Sequence, residues 1–169
     1  MNLHRIEINA LDLNLTHFWG RQNALLTAGD RTGCNTMTIG WGQAGRLWNL
    51  PVCTVYVRPE RYTYQFLEAQ DYFTLSVLPE SEKKIMGFCG AKSGRDVDKI
   101  AECGLTVRYG TGDAPFFDEA ELVLVCQKMY VQDLDLSGGL SDAIPPFYAP
   151  GQGGVHRAYT GLIVEAYTR

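Results

Sequence analysis

Three stretches of the chain carry side chains whose types and spacing suit ligand chemistry. The first is Asn35-Thr36-Met37-Thr38-Ile39-Gly40-Trp41-Gly42. Thr36, Thr38 and Ile39 are β-branched and a Gly-Trp-Gly end closes the run, so it reads as a strand. An amide, two hydroxyls and a thioether in close succession suit a polar, planar ligand lying against that strand. Gly40 and Gly42 either let something large approach the backbone or mark a bulge in a core strand. The second stretch is Arg58-Pro59-Glu60-Arg61-Tyr62-Thr63, at a strand-to-helix junction. A helix start presents free N–H groups and a positive partial charge to an anion. Arg58 and Arg61 add forked donors for a phosphate and Thr63 adds a hydroxyl. The plain alternative is a surface arginine pair bridged to Glu60 or Glu68. The third stretch runs from Lys92-Ser93-Gly94-Arg95-Asp96 to Lys99. It is a second candidate anion site, with Ser93 and Lys99 as donors, or else a solvated basic loop. It lacks the G-x-x-x-x-G-K-[ST] pattern of the nucleotide phosphate loop.

His156 follows a glycine-rich loop and opens the last strand, where a histidine beside a ligand can hydrogen-bond or exchange a proton. Gly110-Thr111-Gly112 follows a short strand, but no third glycine comes after it and Pro115 breaks any helix. A dinucleotide fingerprint is thereby excluded. No His, Cys or Asp spacing makes a metal site, and no nucleophile elbow or acid pair is present. The five cysteines, Cys34, Cys53, Cys89, Cys103 and Cys126, are odd in number and form no C-x-x-C pair. That pattern predicts reduced thiols in a cytoplasmic protein. Cys53, Cys89 and Cys126 sit among apolar neighbours and read as packing residues.

At 169 residues the chain has the size of one domain, and its 46% hydrophobic content suffices for one sizeable core. A net charge of −4 with scattered basic residues gives no footprint for nucleic acid or for a membrane surface. The first residues lack the apolar centre of a secretory leader, and no apolar run has the length of a membrane span.

Taken in order, Leu11–Leu15 alternates as a strand does, and 23–27 and 35–42 form strands around a turn at 28–33. Gln43-Ala44-Gly45-Arg46 reads as a second turn. Residues 52–57 are the most β-rich run. Pro59 stops that run and opens a short helix with Phe66 and Leu67 on its buried face. Residues 72–78 form a strand and 81–89 a helix. A second helix spans 96–103, with Asp96 as its cap and Gly104 as its stop. A strand at 105–109, a long β run at 121–136, a Gly- and Pro-rich excursion at 137–154 and a final strand at 156–167 complete the chain. This pattern predicts an all-β domain with a few short helices, as a closed antiparallel barrel.

The ordered stretches 26–30, 35–42, 57–63, 72–76, 93–99 and 156–161 together resemble the flavin reductase-like family of FMN-binding split barrels, in particular its flavoredoxin branch. The resemblance implies one domain over residues 1–169, a six-stranded antiparallel Greek-key barrel that forms a homodimer with FMN near the subunit interface. It implies that Asn35, Thr36, Met37 and Thr38, with Trp41, line the flavin ring. It implies that Arg58, Arg61, Thr63, Ser93 and Lys99 hold the phosphate. NADH or NADPH would be the co-substrate, with free flavin, a ferric complex or a partner redox protein as acceptor. His156 would meet the incoming nicotinamide or flavin as the catalytic residue, and the 137–154 excursion would cover the site. A flavoredoxin-type carrier that does not oxidise NAD(P)H is the alternative.

Overall fold

Alternation of side chains across long strands decides the architecture, a computed structural model of which describes residues 2–169. The elements run β1 (His4–Ile6), α1 (Leu15–His17), β2 (Ala24–Asp30), β3 (Gly33–Ile39), β4 (Gly42–Leu47), β5 (Leu50–Val57), α2 (Tyr62–Ala69), β6 (Tyr72–Val77), α3 (Lys83–Ala91), α4 (Lys99–Glu102), β7 (Val107–Tyr109), β8 (Pro115–Phe117), β9 (Leu122–Asp133) and β10 (Arg157–Thr168). The protein is mostly β, as its sequence predicts.

The main sheet follows the order β3-β2-β6-β9-β10-β5-β4, and its ladders are antiparallel. Along β10, β9 occupies one edge, while β5 and then the short β1 share the other. The sheet has eight strands where the resemblance implies six, because β1 and β4 extend it. β3 and β4 end the path, and among the described residues no ladder joins them.

β2, β6 and the first half of β9 are buried on both faces, whereas β9 from Gln127 onward is largely exposed. Ala24, Leu26 and Ala28 of β2 join Met37, Phe73, Leu75, Cys126 and Tyr159 in one apolar cluster. Leu25, Val123 and Val125 point the other way, into a second cluster with Cys89, Leu105, Phe116 and Phe117 under α3 and the β7–β8 hairpin. Two covered faces account for the near-continuous apolar runs of β2, β6 and β9. Cys53, Cys89 and Cys126 are buried free thiols, as their surroundings predict.

Several boundaries differ from the sequence reading. Leu11–Leu15 forms no strand; Asn14 instead caps α1, its side chain accepting the His17 N–H at 3.1 Å. Residues 43–46 are part of β4, not a turn. The chain reverses at Trp48-Asn49, whose φ angles of 52° and 60° fit a two-residue hairpin loop between Leu47 and Leu50. The earlier turn is confined to Arg31-Thr32, because Asp30 accepts the Thr32 N–H and hydroxyl at 2.8 and 2.6 Å and β2 continues up to it. α4 is capped by Asp98 rather than Asp96; its carboxylate accepts the Ile100 and Ala101 N–H groups, both at 3.1 Å. Leu67 is buried, but Phe66 stays half-buried beside a cavity.

Candidate functional site

β3 organises the site through its position at the end of the sheet. It pairs with β2 alone, so its second edge carries no strand among the described residues. Its side chains are largely spent within the fold. Asn35 Nδ2 donates to Thr63 Oγ1 at 2.8 Å. The Thr36 hydroxyl accepts from Thr27 Oγ1 at 2.9 Å and donates to the Leu26 carbonyl at 3.3 Å. Thr38 Oγ1 donates to the Met86 carbonyl at 2.6 Å, and Met37 packs in the core. What β3 offers a ligand is main chain more than hydroxyls.

The glycines after β3 serve the chain itself. A Cβ at Gly40 would lie 2.6 Å from Asn23 Oδ1, and one at Gly42 would lie 2.3 Å from the Trp19 ring. The large group approaching the backbone at Gly42 is the indole of Trp19, and at Gly40 the near neighbour is the Asn23 amide.

The three stretches converge. Lys99 is buried, 4% exposed, and its Nζ donates to the Thr36 carbonyl at 2.9 Å and the Cys89 carbonyl at 2.8 Å. Burial pulls its pKa below the usual lysine value. Arg95 Nη1 donates to the Glu60 carbonyl at 3.1 Å, and its guanidinium lies 4.9 Å from the centre of the Tyr62 ring. Gly94 sits so close to β3 that a Cβ would fall 1.9 Å from Asn35 Oδ1 and 2.9 Å from Tyr62 Cδ1. Arg61 Nη2 donates to the Gly90 carbonyl at 3.0 Å. Ser93 Oγ accepts the Arg95 N–H at 3.2 Å. The start of α4 is already capped by Asp98, whereas Arg61 precedes α2 without a side-chain cap; the Tyr64 N–H pairs with the Arg61 carbonyl at 3.0 Å, leaving the Tyr62 and Thr63 N–H groups without a side-chain partner.

Two cavities follow β3. One of about 610 Å³ is lined by residues 33–35, by Tyr62 and Phe66, and by the 94–100 loop. The other, of about 260 Å³, continues along residues 37–41 and meets Tyr56, Arg58, Arg61, Gly90 and His156. Met37, Thr38, Trp41, Arg58, Arg61 and His156 thus share one cavity, while Asn35 and Lys99 border the other. Thr36, Thr63 and Ser93 line neither. Thr63 joins the site only through Asn35 and Ser93 only by shaping its loop.

His156 is 8% exposed, with its ring 4.7 Å from the Trp41 ring and Nδ1 2.9 Å from the Tyr148 hydroxyl. Burial, assisted by the Arg58 guanidinium and opposed by Glu60, pushes its pKa down to about 4, so the ring is neutral at pH 7. Arg58 is not a free fork. Its Nη1 donates to the Gly154 carbonyl and its Nη2 to the Phe147 carbonyl, both at 2.8 Å. The excursion runs outside the sheet, so its carbonyls need donors from elsewhere, and Arg58 supplies them. Tyr148, Tyr56 and Tyr62 also belong to the site. No local pattern marks them in the sequence, although Tyr62 lies within the arginine motif. Among the described residues no cluster could hold a metal ion, and no helix is long and apolar enough to cross a membrane.

An antiparallel sheet with an open end strand, two adjoining arginine-bearing loops and a histidine tilted against a tryptophan define a class rather than a single protein. Residues 18–168 match the family described as flavin reductase like domain, and the chain belongs to that family. Among solved structures, it is similar to a flavoredoxin from Methanosarcina acetivorans, with a TM-score of 0.71 and 23% identity over 98% of this chain and 76% of that one. An FMN-binding protein from Thermus thermophilus with bound 1-cyclohex-2-enone gives a TM-score of 0.68 and 19% identity, over 96% and 80% of the two chains. The NADH:FAD oxidoreductase SgcE6 from Streptomyces globisporus C-1027 gives 0.64 and 19%, over 86% and 74%. At these identities the likeness is one of fold. The comparison with curated proteins finds no match.

Proposed function

We propose that the protein is an FMN-binding oxidoreductase that takes hydride or electrons from NADH or NADPH and passes them to an acceptor: free flavin, a ferric complex or a redox partner protein. In this reading residues 1–169 are one split-barrel domain, working as a homodimer. The observation that carries the reading is the convergence of residues 35–41, 58–63 and 93–99 around the open edge of β3. Family membership supports it, as do relatives that are named for FMN binding and for NADH oxidation.

The residues present fit FMN. The donor set suits a phosphate: Arg61, Arg95, the uncapped start of α2, and the Lys99 ammonium, two of whose three donors are already used. Unpaired main-chain groups of β3 suit the polar edge of a flat heterocycle, and Trp41 suits its face. FMN, when bound, supplies the hydride and electron chemistry; the protein binds it, orients it and shields it. Arg58 fixes the excursion over the cavity. Neutral His156, held by Trp41 and Tyr148, can donate or accept one hydrogen bond there without adding charge.

Anaerobic mixing of the FMN-loaded protein with NADH, and separately with NADPH, tests the proposal. Bleaching of the flavin's visible absorbance within seconds is expected with at least one of them. A flavin that stays oxidised with both contradicts it. That outcome would favour the carrier reading, which the likeness to a flavoredoxin supports.

A further inference from the structure

We propose that a third cavity, beneath residues 134–148, binds an uncharged ring compound bearing a carbonyl oxygen, with Tyr148 as the donor to that oxygen. The cavity is a recess of about 390 Å³, open to solvent on one side, and is lined chiefly by Trp41, Leu134, Leu136, Ile144, Phe147 and Tyr148. That volume and lining are those of a small-molecule site: mostly apolar, with a few polar groups that fix orientation.

Its walls are built rather than incidental. The Leu134 N–H donates to the His156 carbonyl at 3.0 Å and closes the base of the excursion. Arg58 holds the Phe147 carbonyl from outside, and the Phe147 ring meets Trp41 edge-on at 5.1 Å and 83°. Trp41 also lines the 260 Å³ cavity along β3, so its indole is common to the two spaces. The inference rests on the flavin reading only for what occupies that neighbouring cavity.

Polarity selects the ligand. No lysine or arginine lines the wall, and its one charged residue is Asp135, whose carboxylate is occupied by the Ser137 N–H at 2.9 Å. An anion would therefore meet apolar surface and a like charge. Tyr148 is the polar exception. A neutral histidine carries one ring proton; with that proton on Nδ1, His156 donates to the phenol oxygen 2.9 Å away. The phenol O–H is then free to donate to a carbonyl in the cavity.

Calorimetric titration of the full chain with coumarin, a neutral bicyclic carbonyl compound, tests this. One saturable site is expected. Coumarin-3-carboxylate should bind at least about tenfold more weakly. Ile144→Asp, which places a carboxylate in the wall, should also weaken coumarin binding at least about tenfold, while FMN uptake and the thermal midpoint stay as in the parent. Tyr148→Phe should weaken coumarin binding about 2- to 12-fold, the range of one hydrogen bond. Absence of coumarin binding to the parent, or binding unmoved by both substitutions, overturns the proposal. If coumarin does not bind and Ile144→Asp instead dissociates a dimer, the cavity seats a second copy of the chain, which also overturns it. FMN uptake without coumarin binding removes this inference alone. Coumarin binding without FMN uptake removes the flavin reading and leaves the inference standing.

Discussion

Two buried ionisable side chains, His156 and Lys99, carry the strongest consequences at the scale of single residues. The His156 pKa of about 4 in the folded protein lies below its value of 6.5 when exposed. Between those values the unfolded chain binds a proton that the folded chain does not, so stability rises with pH across this window. We expect His156 to cost nothing above about pH 6.5 and about 3 kcal/mol by pH 4. Urea unfolding at stepped pH should show that slope, and His156→Gln should flatten it. Lys99 bridges β3 and α3 by donating to the Thr36 and Cys89 carbonyls; the Thr36 carbonyl also accepts Asn35 Nδ2 at 3.3 Å, so the Cys89 carbonyl depends on Lys99 the more. Lys99→Met keeps the stem and removes the donors, and should lower the unfolding free energy by about 2–4 kcal/mol in urea titration. The sequence announced Lys99, Arg58 and the threonines as polar, but not where their polarity would be spent. A hydroxyl reads the same whether it meets a ligand or, as with Thr36, a facing Thr27.

Elements bring those residues together, and the contact between β3 and the 93–99 loop is the tightest joint in the site. Gly94 has no room for a methyl group against Asn35 and Tyr62. Gly94→Ala should therefore push the loop off β3. We expect FMN affinity to fall at least about tenfold, read by flavin fluorescence, since a displaced donor forfeits a charge-assisted bond. The thermal midpoint should fall by a few degrees at most, because the loop lies outside both apolar clusters. Here the sequence was most informative where residues act locally. The β-rich run in β5 and the alternation in β6 were legible, and so was a helix after β5, but it starts at Tyr62, with Pro59-Glu60 in a turn before it rather than in its first turn. The reading failed where partners decide. Gly45 suggested a turn, yet β4 needs only a partner strand, and Gly45 pairs with Val52 across the hairpin. Asp96 and Asp98 are equally good caps by type, and only the path of the loop selects Asp98.

At the scale of the whole molecule, exposed apolar side chains stand out. Leu47, Trp48 and Leu50 at the tip of the β4–β5 hairpin and Met129, Tyr130 and Val131 on β9 are all at least about one-third exposed. The Trp48 and Tyr130 rings meet at 5.9 Å, linking the two groups into one surface. Trp48 is 54% exposed and holds a left-handed backbone that disfavours a bulky residue. Such a surface fits the proposed homodimer. Sedimentation should give a dimer, and Trp48→Asp combined with Tyr130→Asp should give a monomer with the fold intact. The mostly-β class was readable from spacing alone. The eight-strand count was not, because β1 and β4 have little apolar alternation and become strands by pairing with β10 and β5.

The central claim is that the open edge of β3 and the two loops beside it form one FMN site, and a fluorescence titration of FMN with the purified full chain tests it most directly. The account predicts saturable quenching at one FMN per chain, weakened at least about tenfold by Gly94→Ala. Flavin emission that stays unquenched at a large excess of protein, or that is quenched equally by parent and variant, would contradict it.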